Sequence, residues 1–370
     1  MGVAAAVDVD SDMVLDETFI RSLPKVLLHD HLDGGLRPGT VVELARDQQY
    51  GELPTTDAGE LAAWFHRGAK RGSLPLFLEG FVHTCGVMQT VEALERVAYE
   101  MMSDMRDDGV VYVETRFAPL LHLHKGLHSD EVVTAVLKGL ERGHRDFGVA
   151  YGLILCAMRN MSRSLEIAEL AVDFRERGVV GFDLAGEEGG FPPKKHIEAF
   201  HYIQRENFNI TIHAGEAFGK ESIWQAIQWC GAHRVGHATR LMDDIGLDRH
   251  DPTQIVKMGY LAQYILDKRI PLEICLSSNV DTGAIDSIEH HPFGMYYRYG
   301  FRVTLNTDDR LMSNTTMTHE FAVANRVFGL GVQDLEKVTI NAMKSAFIPH
   351  KRRLQLIYEA IKPGYAAVRS

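Results

Sequence analysis

Eight short apolar runs, each separated from the next by stretches of helical periodicity, limit what this chain can fold into. The runs are Lys25–Leu28, Val110–Phe117, Val149–Met158, Val179–Leu184, Asn209–His213, Arg234–His237, Pro271–Leu276 and Phe301–Asn306. Most are apolar on both faces, as strands of a parallel sheet must be when helices cover both sides. Eight such units fit a closed (β/α)8 TIM barrel better than an open doubly wound sheet. Helices are expected over Thr40–Gln49, Val91–Asp108, Ser129–Phe147, Ser162–Arg177, Lys194–Glu206, Glu221–Cys230, Pro252–Asp267 and His290–Tyr299. Extra helical patches fall within Leu53–Thr84, after the first strand, and three more stretches begin at Thr315, Gly331 and Pro349. The former are expected to cap one end of the barrel. A single domain over residues 16–370 is expected, behind a small, acidic, disordered tail of residues 1–15.

Composition narrows the function. A net charge of −11 disfavours a nucleic-acid backbone as partner and suits a small neutral substrate. The four cysteines, Cys85, Cys156, Cys230 and Cys275, form no Cys-x-x-Cys pair, which suggests free thiols in a reducing compartment. The first residues lack a basic segment and an apolar core, and no apolar run approaches about 18 residues. A cytoplasmic enzyme with no membrane association is expected, and nothing indicates an oligomer. Neither Gly-x-Gly-x-x-Gly after the first strand nor a Walker A sequence appears.

In such barrels chemistry gathers where strands end at their C-terminal side. Strand one ends in His29-Asp30-His31 with Asp33 beyond, and strand four in Asp183-Leu184-Ala185-Gly186-Glu187. Strand five ends in His213-Ala214-Gly215-Glu216, strand six in His237, and strand eight in Asp308-Asp309. Residues i and i+2 on a strand share a face, so His29 and His31 can reach one metal ion. Three imidazoles (His29, His31, His213) and one carboxylate (Asp308) suit zinc, with a position left for water. Glu216 lies close enough to act as acid or base without ligating, and His237 and Asp309 remain to orient or deprotonate the water and hold substrate. Singly, each residue has an ordinary structural explanation: a hydrogen-bonded histidine, an Asp-Asp helix cap, a glycine turn. Jointly, at four strand ends, those explanations weaken. A second pair, His122-x-His124, follows strand two with no carboxylate joining it and is expected to line the loop or touch substrate at second hand. His290-His291 are expected to cap a helix, and the other histidines to pack or face solvent.

The segments His29-x-His31-Leu-Asp33-Gly34, Asp183-Leu-Ala-Gly186-Glu-Glu, His213-Ala-Gly-Glu216, Arg234-Val-Gly-His237 and Asn306-Thr-Asp308-Asp309 resemble the adenosine deaminases, in that family's order, from about Leu23 to Ile348. The resemblance implies one zinc ion and hydrolysis of the 6-amino group of adenosine and 2′-deoxyadenosine. It implies His29, His31, His213 and Asp308 as ligands, Glu216 as proton donor to purine N1, and His237 as the histidine assisting the attacking hydroxide. His31, Asp33, Gly186 and Asp309 resemble the substrate contacts, Asp33 to the ribose, Gly186 to the base through its backbone, and Asp309 to the ring. Four positions depart from the family pattern: Gly35 for Ala or Ser, Glu187 for Asp, Ala238 for Gly, and Arg310 for Pro. Arg310 is expected to place a cation beside the substrate carboxylate, which would suit a phosphate or carboxylate on the substrate. A sibling deaminase acting on adenine, an N6-substituted nucleotide or 6-aminodeoxyfutalosine is the alternative. A binuclear amidohydrolase would need a lysine ending strand four, and a non-catalytic binding protein should have lost a ligand or the acid. Neither condition is met.

Overall fold

A computed structural model of the chain describes residues 14–251 and 253–369. Eight parallel strands form the barrel: β1 Lys25–His31, β2 Val110–Phe117, β3 Ala150–Met158, β4 Val179–Ala185, β5 Thr211–Ala214, β6 Arg234–His237, β7 Leu272–Ile274 and β8 Val303–Leu305. They pair as two four-stranded sheets, β1-β2-β3-β4 and β5-β6-β7-β8. Both seams are closed by single parallel bridges, Phe182 with Ile210 and Asp30 with Asp308. At the second seam the His31 N–H donates to the Asp308 carbonyl at 2.8 Å, and the Asp308 N–H to that of His29 at 2.9 Å. That closure brings the ends of β1 and β8 into direct contact, so their polar residues share one site.

Helices cover the outside, and one continuous cluster of buried apolar side chains runs from Ile20 to Tyr365. The amphipathic helix Val91–Asp107 starts where the Thr90 hydroxyl accepts the Ala93 N–H. Helix Ser129–Phe147 stops at Gly148, whose φ of 76° needs no Cβ. Between β1 and β2 stand Ala58–Ala69, Leu74–Leu78 and Phe81–Val87. The Phe81 ring meets that of His31 edge-on, centroids 6.4 Å apart, so the insertion lies over the end of β1 as expected.

Two expected elements differ. Pro252–Asp267 was expected as one helix, and residue 252 lies outside the described residues. Ile255–Met258 instead pairs antiparallel with Ile245–Leu247, and the helix is Tyr260–Lys268. The Asp244 carboxylate accepts the N–H groups of Leu261 and Ala262, fixing the start after Gly259, while the β-branched Ile255 and Val256 suit the strand. The strand expected to end at Leu276 ends at Ile274, and a short helix, Leu276–Asp281, begins there. Of the expected tail, residues 1–13 lie outside the described residues, whereas the Leu15 N–H donates to Asn325 Oδ1.

The barrel floor is polar. Arg116 on β2 pairs with Asp183 on β4 and Glu273 on β7, each at 2.9 Å, and Arg234 on β6 pairs with Glu114 on β2 at 2.7 Å. These strands are not all neighbours, so the contacts cross the interior. Buried ion pairs stabilise little by themselves. Here they fix the orientation of the carboxylates under the site.

Candidate active site

Strand pleat sets the first contacts. His29 and His31 leave β1 on one side, while Asp30 points to the other and accepts from Thr115, Thr307 and Arg310. His29 Nε2 lies 3.0 Å from His213 Nε2, and His31 Nε2 lies 3.0 Å from the same atom. Asp308 Oδ1 is 3.1 Å from His29 Nε2 and 3.5 Å from His31 Nε2. Asp308 reaches inward because its φ is 59°, a left-handed conformation unusual for a residue with a Cβ. Its second oxygen accepts the Ser278 hydroxyl at 2.6 Å.

Four donor atoms at these separations fit a metal. Tetrahedral zinc with ligands at about 2.0–2.1 Å has neighbouring ligand atoms about 3.3–3.4 Å apart. The ring protons support the same fit. His29 Nδ1 faces Glu273 Oε2 at 2.7 Å and His213 Nδ1 faces Asp183 Oδ2 at 3.0 Å, so each neutral ring keeps its proton there. Their Nε2 lone pairs then point at each other, an arrangement that a cation between them makes favourable. Burial and Arg116 push His29 towards the neutral form, yet Asp308 and Glu273 raise its pKa above the usual value, so the site favours positive charge there. Burial would raise the carboxyls of Asp183, Glu273 and Asp308, but the imidazoles, with Arg116 at Asp183 and Arg116 and Arg234 at Glu273, hold all three well below the usual range.

Glu216 and His237 stand beside this cluster, their closest side-chain atoms 3.7 Å apart. Burial first, then the charges of Asp308 and Glu188, push the Glu216 carboxyl well above the usual range, which favours its protonated form. The Thr282 hydroxyl donates to its Oε1 at 3.0 Å. Its backbone is fixed by Glu188, whose carboxylate accepts the N–H groups of Gly215, Glu216, Ala217 and Phe218 at 2.7–3.0 Å. Asp309 is buried beside Gly34, where a Cβ would fall 1.8 Å from Asp309 Oδ1. Burial and then the charges of Asp308, Asp33, Asp30 and Glu216 push its carboxyl well above the usual range. Gly186 follows β4 with φ 97° and contributes no side chain.

Asp33 joins a different group, with Cys85 and His122. The expectation that no carboxylate accompanies His122 is therefore corrected: its Nε2 lies 3.5 Å from Asp33 Oδ2, across the turn that follows β1. The expectation for Arg310 is corrected too. Its Nε pairs with Asp30 at 2.6 Å and its Nη1 lies 3.6 Å from Asp104, behind the strand. A Cβ on residue 35 would fall 2.3 Å from Arg310 Nη2, so Gly35 and Arg310 are one coupled departure from the family pattern. Ala238, where glycine is common, has φ 52°, which explains that preference. His291 does cap its helix, accepting the Phe293 N–H, while His290 pairs with exposed Asp286.

Sequence reasoning gave no role to Glu273, Arg116, Ser278, Asn279 or Glu188. A charged residue flanked by Leu272 and Ile274 was the one visible signal for Glu273.

The adenosine deaminase family model matches residues 24–363. The chain is 57% identical over 356 residues to adenosine deaminase 1 of Streptomyces coelicolor, covering 95% of this chain and 89% of that protein. The crystal structure of an adenine deaminase from Arthrobacter aurescens shares the fold at TM-score 0.82 and 24% identity, covering 94% of this chain and 100% of that one. An N6-mAMP deaminase from arabidopsis matches at TM-score 0.78 and 26% identity, covering 92% and 98%. Sequence and architecture agree, and the chain belongs to the adenosine deaminase family.

Proposed function

We propose that the chain, as one domain over residues 16–370, hydrolyses adenosine and 2′-deoxyadenosine to inosine and 2′-deoxyinosine plus ammonia, as a step in purine salvage. The observation that carries this reading is the buried Glu216 beside three imidazoles and a carboxylate at metal-ligating separations. His29, His31, His213 and Asp308 would hold one zinc ion. Bound zinc supplies Lewis acidity, which brings the pKa of a water towards about 7.

The chain's own groups do the rest. Attack at C6 breaks the aromaticity of the purine, and Glu216 gives its proton to N1 so that the ring accepts the displaced electrons. His237 orients the attacking oxygen. Asp309, whose carboxyl burial pushes towards the neutral form, donates a hydrogen bond to a ring nitrogen, and the Gly186 backbone contacts the base. Asp33 reads the ribose. Its Oδ1 and the His122 Nε2 are buried without a hydrogen-bond partner, which supports a hydroxyl-bearing ligand at that end. His31 borders both ligand and substrate.

The alternative substrates with a phosphate or carboxylate lose their main support. Arg310 is already paired with Asp30 and Asp104, and a second anion would face Asp33. Adenine lacks the sugar that Asp33 would contact. A small purine nucleoside is the partner this site fits. No helix among the described residues is long and apolar enough to cross a membrane. The four buried, unpaired cysteines support a reducing, cytoplasmic setting.

Ultraviolet absorbance of zinc-loaded protein with adenosine tests the reading: the spectrum should shift to that of inosine, and an unchanged spectrum overturns it. Glu216→Gln should lower kcat by about 10²–10⁴-fold with zinc still bound. Near-normal turnover would remove Glu216 as the proton donor.

A further inference from the structure

Asn279 and His291 have no part in the reading above, yet they carry a line of hydrogen bonds from a main-chain amide to His237. The Phe293 N–H donates to His291 Nδ1 at 3.1 Å. A backbone amide can only donate, so His291 Nδ1 offers a lone pair and the neutral ring carries its proton on Nε2. Burial pushes the His291 pKa down to about 3, which keeps that ring neutral near neutral pH. His291 Nε2 lies 3.1 Å from the Asn279 side-chain oxygen, which must accept. The Asn279 NH₂ group is then the end that faces His237 Nδ1, at 3.0 Å. An amide NH₂ only donates, so His237 Nδ1 also holds a lone pair. Its proton sits on Nε2, the atom turned towards Glu216. All three side chains are buried, so water does not compete for these bonds.

We propose that Asn279 and His291 are positioning residues that lock His237 in its Nε2–H tautomer. His237 then presents a hydrogen-bond donor, rather than a base, to the attacking oxygen. The lock also explains a selection in the cluster. His237 lies with His29, His213 and Asp308 at metal-ligating separations, but a protonated Nε2 has no lone pair to give a metal. His31 fills the ligand set instead. From its place at the end of β6, His237 can orient or deprotonate water, and the relay selects the first.

The tautomer is measurable without any substrate. In protein labelled with ¹⁵N-histidine, the two-bond proton–nitrogen pattern of His237, assigned by its absence in His237→Asn, should be that of Nε2–H, both with zinc and after chelation. Asn279→Asp keeps the shape but puts an acceptor against Nδ1, so the pattern should invert. A wrong tautomer can lower kcat about 10⁴-fold in an enzyme that relies on a histidine. A loss of at least about 10²-fold is expected here, with KM within about threefold and zinc stoichiometry unchanged. His291→Phe removes the anchor while keeping a ring in place. It should give a mixture of both patterns and a smaller loss, about tenfold, and carries the test if Asn279→Asp does not fold. An Nδ1–H pattern in the unaltered protein overturns the proposal, as does an unchanged kcat in a variant whose pattern has inverted. The kinetic arm rests on the deaminase reading and the spectroscopic arm does not, so failure of one is distinguishable from failure of the other.

Discussion

The chain holds two His-x-His pairs after adjacent barrel strands, and they behave differently. His29 and His31 lie on β1, where extended backbone puts i and i+2 on one face, and both reach His213. His122 ends a 3-10 turn, Pro119–His122, so two residues on the chain has turned away. His122 is buried and His124 is exposed. Their surroundings differ as much as their backbones. The second nitrogen of His29 is held by Glu273, and His213 by Asp183, so the metal end is completed by the protein. His122 Nδ1 donates to the Met88 carbonyl, and its Nε2 lies 3.5 Å from Asp33 Oδ2 without a hydrogen-bond partner. Equal spacing therefore carries meaning only together with the backbone it is written on. One pair converges on a shared partner, and the other splits into a buried and an exposed side chain.

The largest effect should come from breaking the first pair. His31→Ala is expected to lose bound zinc and to lower kcat/KM by at least about 10³-fold, since metal assistance is worth several kcal/mol and each 1.36 kcal/mol is tenfold. Metal analysis with the adenosine assay checks both. Stoichiometric zinc in that variant would reduce the pair to one ligand.

Asp183→Asn attacks the support rather than the ligand. It leaves His213 in place but weakens the hold on its Nδ1 proton, and second-layer partners of this kind typically contribute 10–100-fold to metal affinity or activity, about the range expected here. Zinc titration against a competing chelator measures it. An affinity equal to that of the unaltered protein would mean the ligands orient themselves, and the contrast with His122 would lose its physical basis.

The difference also marks what the sequence could reveal. Strands such as Val110–Phe117 and Arg234–His237 were legible to the residue, because each is a short valine-bearing run bounded by loops between helical stretches. The candidate ligands were legible because imidazoles and carboxylates at the ends of such runs have few other reasons to be there. Helix Leu276–Asp281 was not, since Cys275 and Leu276 extend the apolar run past the point where the chain turns. That error hid Ser278 and Asn279. Arg116 and Glu188 look like any surface charge in one dimension, and only folding buries them against their partners. Gly35 and Arg310 read as two unrelated anomalies until their approach explained each by the other.

A smaller effect separates the carboxylates. Asp308 is held low by the imidazoles, whereas Asp309, one residue on, is pushed high by burial and by neighbouring negative charge. In the unfolded chain Asp309 ionises from about pH 4 upward, while in the folded chain burial and the neighbouring carboxylates move that ionisation to higher pH. The folded state then binds more protons, so stability is lost as pH rises from about 4 towards the raised folded pKa. Asp309→Asn removes that loss. Measured by denaturant unfolding without metal, the variant should gain on the unaltered protein by a margin that widens as pH rises above about 4. A constant margin would mean that Asp309 ionises alike in both states.

The smallest effects test the second pair within itself. If His122 Nε2 and Asp33 wait for a donor from the ligand, His122→Ala removes one acceptor and some packing. A neutral hydrogen bond contributes about 0.5–1.5 kcal/mol, so KM for adenosine should rise about 2–10-fold with kcat nearly unchanged. Exposed His124 uses its backbone N–H, not its ring, to meet Gln89 Oε1, so His124→Ala should leave KM unchanged and stability within about 0.5 kcal/mol. Deoxy analogues of adenosine sharpen the result. The penalty of His122→Ala should vanish for the analogue lacking the hydroxyl that His122 meets, and persist for the others. Equal penalties across all analogues would assign His122 to packing against Phe117, whose ring centroid is 5.5 Å away, and the two members of the pair would then differ in burial alone.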